Sequence, residues 1–310
     1  MINVGDYQGE QAILLSSARA SAAILPARGG KVASFFDKEK QFEFLFQNPR
    51  SVYSDAKTGD DFALFEACGL DDAFPSINSG IVEINGSPVA YPDHGEIWSA
   101  PFRFSIDGDI ARLWYRSPLL GYSYQKSCQL FDKTLSCTWK IANEGRQSFP
   151  YLWALHGLAV YRPDMQIVFP PGVEKVINVL QSSRLGAPES EYLFPLDTPL
   201  SSPYDFTSVP SPDSMTMEKY FVKGRVSEGI AGYRYPRESV AVMLQYDSRI
   251  LPYLGFWITA GGFRGDCNCA LEPMTGFYDD IRIASKNGAI NYLEPGEALN
   301  FSINFSFVTL

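Results

Sequence analysis

Near the end of the chain, apolar Leu299, Phe301, Ile303, Phe305 and Phe307 alternate with polar Asn300, Ser302, Asn304 and Ser306. A period of two puts one set on a buried face and the other in solvent, so residues 299–307 read as an antiparallel strand flanking a core. From Gln11 onward the rest follows suit, in short apolar or aromatic runs divided by Gly, Pro, Asn and Asp. Residues 22–25, 31–36 and 42–46 open the series. Residues 81–84 and 87–90 flank Asn85-Gly86, a pair suited to the two positive φ angles of a type I′ hairpin turn. A second hairpin joins 102–106 to 110–115 through Asp107-Gly108-Asp109, and a third pairs 122–131 with 135–141. The aromatic stretch 149–160 and the runs 240–245, 254–259 and 268–271 complete the predicted strands.

Two stretches break this rhythm. Residues 54–74 read as a loop with one helical turn, ending in the connection Gly69-Leu70-Asp71-Asp72-Ala73-Phe74-Pro75. Residues 181–214 carry six prolines and many serines, the composition of a lid or binding loop. Strand patterning resumes beyond it unchanged, so one domain over 1–310 is expected. Helical periodicity never persists beyond about ten residues, which disfavours a doubly wound α/β fold, and the lack of an evident internal repeat argues against a propeller.

The chain has 310 residues, 45% hydrophobic and 14% aromatic, enough for a large β core. Its net charge of −9 opposes non-specific binding to nucleic acid or anionic membranes, and weighs against a phosphorylated substrate. Asp6 and Glu10 precede the first apolar run and Arg19 interrupts it, so no signal peptide is read and a cytoplasmic location is expected. No uncharged stretch reaches membrane-spanning length. The five cysteines form no C-x-x-C pair and the histidines number two, so reduced thiols and no metal site are expected. There is no P-loop, G-x-G-x-x-G or G-x-S-x-G, and no cofactor is expected.

Three titratable groups stand out. Glu272 lies in Asn268-Cys269-Ala270-Leu271-Glu272-Pro273, where the following proline disfavours helix and holds the glutamate extended. The same Leu-Glu-Pro recurs at Leu293-Glu294-Pro295, but Gly296 follows and marks a type II turn, so Glu294 reads as exposed. His94 and His156 each sit among aromatic residues, in Tyr91-Pro92-Asp93-His94-Gly95-Glu96-Ile97-Trp98 and Tyr151-Leu152-Trp153-Ala154-Leu155-His156. Singly, each is ordinarily a structural histidine. Rings of this kind also stack on the apolar faces of sugars, whose hydroxyls need charged or amide partners.

On these residues the sequence resembles the aldose 1-epimerase (galactose mutarotase-like) family, from about Ile24 to the C-terminus. The matching segments are 25–35, Asp93-His94-Gly95, 149–156, Cys269-Ala270-Leu271-Glu272-Pro273 and Leu293-Glu294-Pro295-Gly296-Glu297. The resemblance implies a large antiparallel β-sandwich with a sugar in an open cleft on one sheet. It implies Glu272 as general base on the anomeric hydroxyl, His156 as imidazolium acid on the ring oxygen, and His94 orienting the sugar. Asp247 is expected to grip sugar hydroxyls, with Trp98, Trp257 and Asp72 as further binding candidates. The expected partner is a small sugar, and the expected assembly a monomer or homodimer.

The sequence also departs from the family. Asp72-Ala73-Phe74-Pro75-Ser76 stands where the best-known subgroup has an Asn-Arg pair, and Gly157-Leu158-Ala159 follows His156 in place of Pro-Tyr and an aromatic. Sugar specificity therefore does not carry over. Rival readings are a hexose-6-phosphate epimerase using Arg28, Lys31, Arg103 or Arg264, a non-catalytic carbohydrate-binding domain, and a glycosidase or lyase pairing Glu272 with Glu96 or Asp247.

Overall fold

The computed structural model describes residues 1–50, 52–197 and 203–310. Among them, one antiparallel sheet of 13 strands packs on another of 8, with three separate two-stranded ribbons. The alternating C-terminal segment is the strand Ala298–Thr309, hydrogen-bonded between Thr134–Asn143 and Val240–Tyr246 in the 8-stranded sheet. Its apolar side turns inward: Phe307 stacks on Phe35 of the larger sheet at 4.2 Å between ring centroids, and Phe301 lies 4.5 Å from the Trp153 ring. The predicted hairpin forms as Gly80–Ile84 and Ser87–Tyr91, with Asn85 and Gly86 at φ 49° and 75°.

The sandwich interior also holds a charge pair. Asp72, 1% exposed, accepts hydrogen bonds from Trp139 Nε1 at 2.8 Å, the Tyr124 hydroxyl at 3.0 Å and Lys126 Nζ at 3.2 Å. Asp72 is thus a structural group between the sheets and not the sugar ligand expected of it; inside a sandwich a carboxylate persists only when paired and hydrogen-bonded.

Several regions differ from the sequence reading, among them the expected connection 69–75, which holds the strand Leu70–Ala73. The proline-rich stretch 181–214 contains short strands at Glu191–Leu193, Leu196–Asp197 and Tyr204–Asp205, and is pinned to the larger sheet where Arg184 Nε and Nη2 each donate at 2.6 Å to Glu218. Strand Thr216–Val222, absent from the predicted set, carries Glu218 and Lys219 on opposite faces, each with an ionic partner. Buried charge on both faces removes the apolar alternation by which strands are recognised. No helix among the described residues is long and apolar enough to cross a membrane.

Candidate active site

Six neighbouring strands of the larger sheet carry the site, in the spatial order Lys31–Asp37, Leu70–Ala73, Ala154–Gly157, Asp266–Met274, Tyr253–Phe263 and Thr216–Val222. Their register builds a single row. Val32 opposite Leu70 sets Lys31 beside Asp71, and Asp71 pairs with His156. The pairings Ala154–Met274 and Ala159–Cys269 bring His156 opposite Glu272, which pairs with Gly255, itself opposite Phe221. Cross-strand partners share a face, so all six side-chain positions lie on the side away from the second sheet. Leu271 and Asp72, one residue out of phase, face the sandwich interior.

Gly255 leaves a gap in this row. Lys219, paired with Trp257 one step along, reaches diagonally to place Nζ 2.9 Å from Glu272 Oε2 and 2.9 Å from Asp279 Oδ2. Glu272 is 1% exposed as a result, and the surface in front of it belongs to Lys219 and Asp279. A cavity of about 320 Å³ opens above, walled by Phe62, His94, His156, Lys219, Trp257 and Asp279.

His94 comes from a covering loop. Its φ of 52° and that of Gly95, 72°, turn the chain sharply, and a side chain on Gly95 would strike the Phe74 carbonyl. The His94 amide donates to Ile77 O at 2.6 Å, and the ring stacks on Phe62 at 4.2 Å. Phe62 stands on the short turn Phe62–Leu64, capped by the Asp61 carboxylate, and meets His156 edge-on at 5.0 Å. The two imidazoles are therefore 5.2 Å apart between centroids, their planes nearly perpendicular. Asp93 ties turn to loop: Oδ2 accepts the Phe62 amide at 2.9 Å, and Oδ1 lies 3.1 Å from His94 Nδ1.

The electrostatics alter the expected protonation. Burial drives the His156 pKa well below its ordinary value, and His94, Lys219 and Lys31 push the same way, so His156 rests as neutral imidazole rather than the expected imidazolium. Glu272 moves in the opposite sense: burial raises it, the Lys219 ammonium offsets part of this, and Asp279 raises it again. Lys219 is held protonated, because the attraction of Asp279 and Glu272 exceeds its own desolvation.

His94, His156 and Trp257 thus meet at the cavity, with Glu272 one layer beneath. Trp98 lies behind Phe62 and donates from Nε1 to Asp93 O at 3.0 Å, a support for the loop rather than a wall of the cavity. Asp247 lies outside the site altogether. It follows the strand Val240–Tyr246 of the other sheet, and its carboxylate is held at about 2 by the Arg249 side chain beside it.

No family model matches the chain, and no curated protein matches it in sequence. Solved structures do match. A protein of Synechocystis sp. PCC 6803 superposes with a TM-score of 0.72 at 16% identity, covering 100% of both chains. A galactose mutarotase-like protein of Clostridium acetobutylicum gives 0.71 at 16% identity, over 100% of this chain and 99% of that one. A galactose mutarotase related enzyme of Lactobacillus acidophilus gives 0.70 at 14% identity, over 96% and 97%. The chain has a galactose mutarotase-like fold. Within that fold, Lys219 and Asp279 are the site residues that the sequence did not disclose. Asp279 stands beside Asp280, whose side chain caps the helix Ile281–Lys286 while Asp279 turns to the cavity.

Proposed function

We propose that the protein is an aldose 1-epimerase acting on an unphosphorylated sugar. The observation that carries this is the placement of Glu272 directly across the strand pair from His156, with His94 and Lys219 on the same cavity. Mutarotation needs one proton taken from the anomeric hydroxyl and one delivered to the ring oxygen, so an acid–base pair that shares a single proton suffices. His156, neutral at rest, accepts the anomeric proton. Glu272 is ionised while paired with Lys219; once Lys219 turns to the sugar, burial favours the neutral acid, so Glu272 takes up a proton from water and delivers it to the ring oxygen. Reclosure on the other face of the carbonyl returns both protons. The pair is that expected from the sequence, with its starting roles exchanged. The Lys219 ammonium, aimed at the cavity, stabilises the negative charge that develops on oxygen during ring opening.

The charge of the cleft supports a sugar without phosphate. Asp61, Asp93 and Asp279 line it against one lysine, already shared by two carboxylates. The cations proposed for phosphate are occupied or remote: Lys31 on Asp71, Arg28 on Glu10, Arg264 on Asp266, and Arg103 on the other sheet.

The shielding of Glu272 by Lys219 favours a second reading, a carbohydrate-binding module without turnover. Anomer exchange followed by polarimetry and NMR over a panel of free sugars separates the two. Rapid exchange by the wild type that collapses in Glu272→Gln, with binding largely kept, supports the epimerase. Saturable binding with exchange no faster than buffer supports the module.

A further inference from the structure

The row across the sheet does not end at His156. On its other side the directly paired residue is Asp71, 3% exposed, on a strand that the proposed reaction does not use. Directly opposed residues in an antiparallel pair hold their Cβ atoms about 4.5–5.5 Å apart. Asp71 Oδ2 contacts Lys31 Nζ, which comes from the strand on the far side, and Lys31 also donates to Cys68 O at 2.7 Å. That leaves Oδ1 buried without a partner, and His156 Nδ1 is likewise buried without a partner. Two orphaned polar atoms on adjacent, face-sharing residues are a costly coincidence, since each forfeits its hydration and gains nothing in return. The two atoms are not bonded as they stand. Rotation of the imidazole about χ2, a soft torsion, or a bridging water is the change that would join them.

We propose that Asp71 is the positioning residue for His156: its Oδ1 accepts the Nδ1 proton, fixes the tautomer with Nε2 bare toward the cavity, and steadies the imidazolium when Nε2 takes a proton. Lys31 fixes Asp71 in turn, so a chain Lys31–Asp71–His156 backs the cavity from the side opposite Glu272. The catalytic part of this inference rests on the epimerase reading; the tautomer does not.

The experiment uses the full chain labelled with ¹⁵N-histidine, which gives two imidazole signals, assigned with His94→Gln. The expected result is a neutral His156 protonated at Nδ1 and bare at Nε2, with the proton moving to Nε2, or to a mixture of tautomers, in Asp71→Asn. Because Asp71→Asn strands Lys31, the double variant Lys31→Met with Asp71→Asn is measured beside it. A folded double variant with the shifted tautomer supports the inference; a wild type protonated at Nε2, or a tautomer indifferent to residue 71, overturns it. Where the wild type turns over a sugar, the double variant loses about tenfold or more in kcat with KM little changed. The acid limb of its pH profile also moves, and the charged groups facing His156 that set that limb are Lys31, Asp71, His94, Lys219 and Glu272. If the tautomer shifts but no sugar is turned over, the epimerase reading fails and the positioning role stands.

Discussion

Lys219 Nζ lies 2.9 Å from Glu272 Oε2 across an intervening strand, on which residue 255, the partner of Glu272, has no side chain. A Cβ on Gly255 would lie 3.0 Å from Glu272 Oε2 and 3.2 Å from the Phe221 ring, tighter than ordinary van der Waals contact. Gly255→Ala must displace the carboxylate or the ring, at about 1–3 kcal/mol for overpacking a buried site. Urea unfolding should show that loss. A midpoint equal to wild type would mean that Glu272 and Phe221 yield freely and that the row has room for a side chain at 255.

The pH dependence of stability isolates His156. Its folded pKa lies well below the unfolded value near 6.5, because burial, His94, Lys219 and Lys31 all penalise the charged ring. Below that pH the unfolded chain binds a proton that the folded chain refuses, so stability is lost as pH falls through 6.5 toward the folded pKa. Comparing wild type with His156→Gln cancels other groups to first order. The difference in unfolding free energy should move against wild type by about 1.4 kcal/mol per unit below pH 6.5. Urea titrations at about pH 7.5 and 5.5 suffice, and a pH-independent difference would refute the assignment.

How much of this was legible beforehand follows from where the chain places its charges. Alternation in 299–307 and the Asn85-Gly86 turn identified strands and a hairpin because one face is apolar and the turn chemistry is local. Residue type and aromatic surroundings single out His94 and His156, and both line the cavity, as does Trp257. Lys219 was not singled out, since its strand buries a charge on each face and so carries no strand signature. Asp71 and Asp72 are adjacent and look alike in sequence, yet strand alternation sends Asp72 into the sandwich and Asp71 to the cleft side. Only the register tells which is which.

Asp72 and Asp247, both expected as sugar ligands, should respond oppositely to substitution, because one is buried between the sheets and the other lies at the surface. Asp72→Asn leaves Lys126 charged and fully buried beside a neutral amide, and breaking a buried pair of this kind costs about 3–5 kcal/mol. Asp247→Ala removes a partly exposed carboxylate whose neighbour Arg249 is itself 88% exposed, and surface changes of this sort stay within about 0.5 kcal/mol. Thermal and urea unfolding should separate the two, while sugar affinity of the folded fraction stays unchanged in both. A drop in affinity for Asp247→Ala at constant stability would bring that residue back into the site.

The carboxylate excess of the cleft makes a prediction about the substrate itself. A phosphorylated sugar brings one to two negative charges to a cavity lined by Asp61, Asp93 and Asp279 against the single ammonium of Lys219. Like charges at such distances in a partly desolvated site disfavour binding, and one unrelieved repulsion of about 1.4 kcal/mol is a tenfold loss. Competition against the best neutral sugar should therefore find its phosphate ester bound about tenfold more weakly or worse. The gap should narrow as salt rises from about 50 mM to about 500 mM, because the Debye length shortens from over 10 Å to a few ångströms. Lys219→Met, which removes the one cation on the cavity wall, should widen the gap at low salt. Tighter binding of the phosphate ester that weakens in Lys219→Met would instead make Lys219 an anion ligand and reverse the substrate assignment.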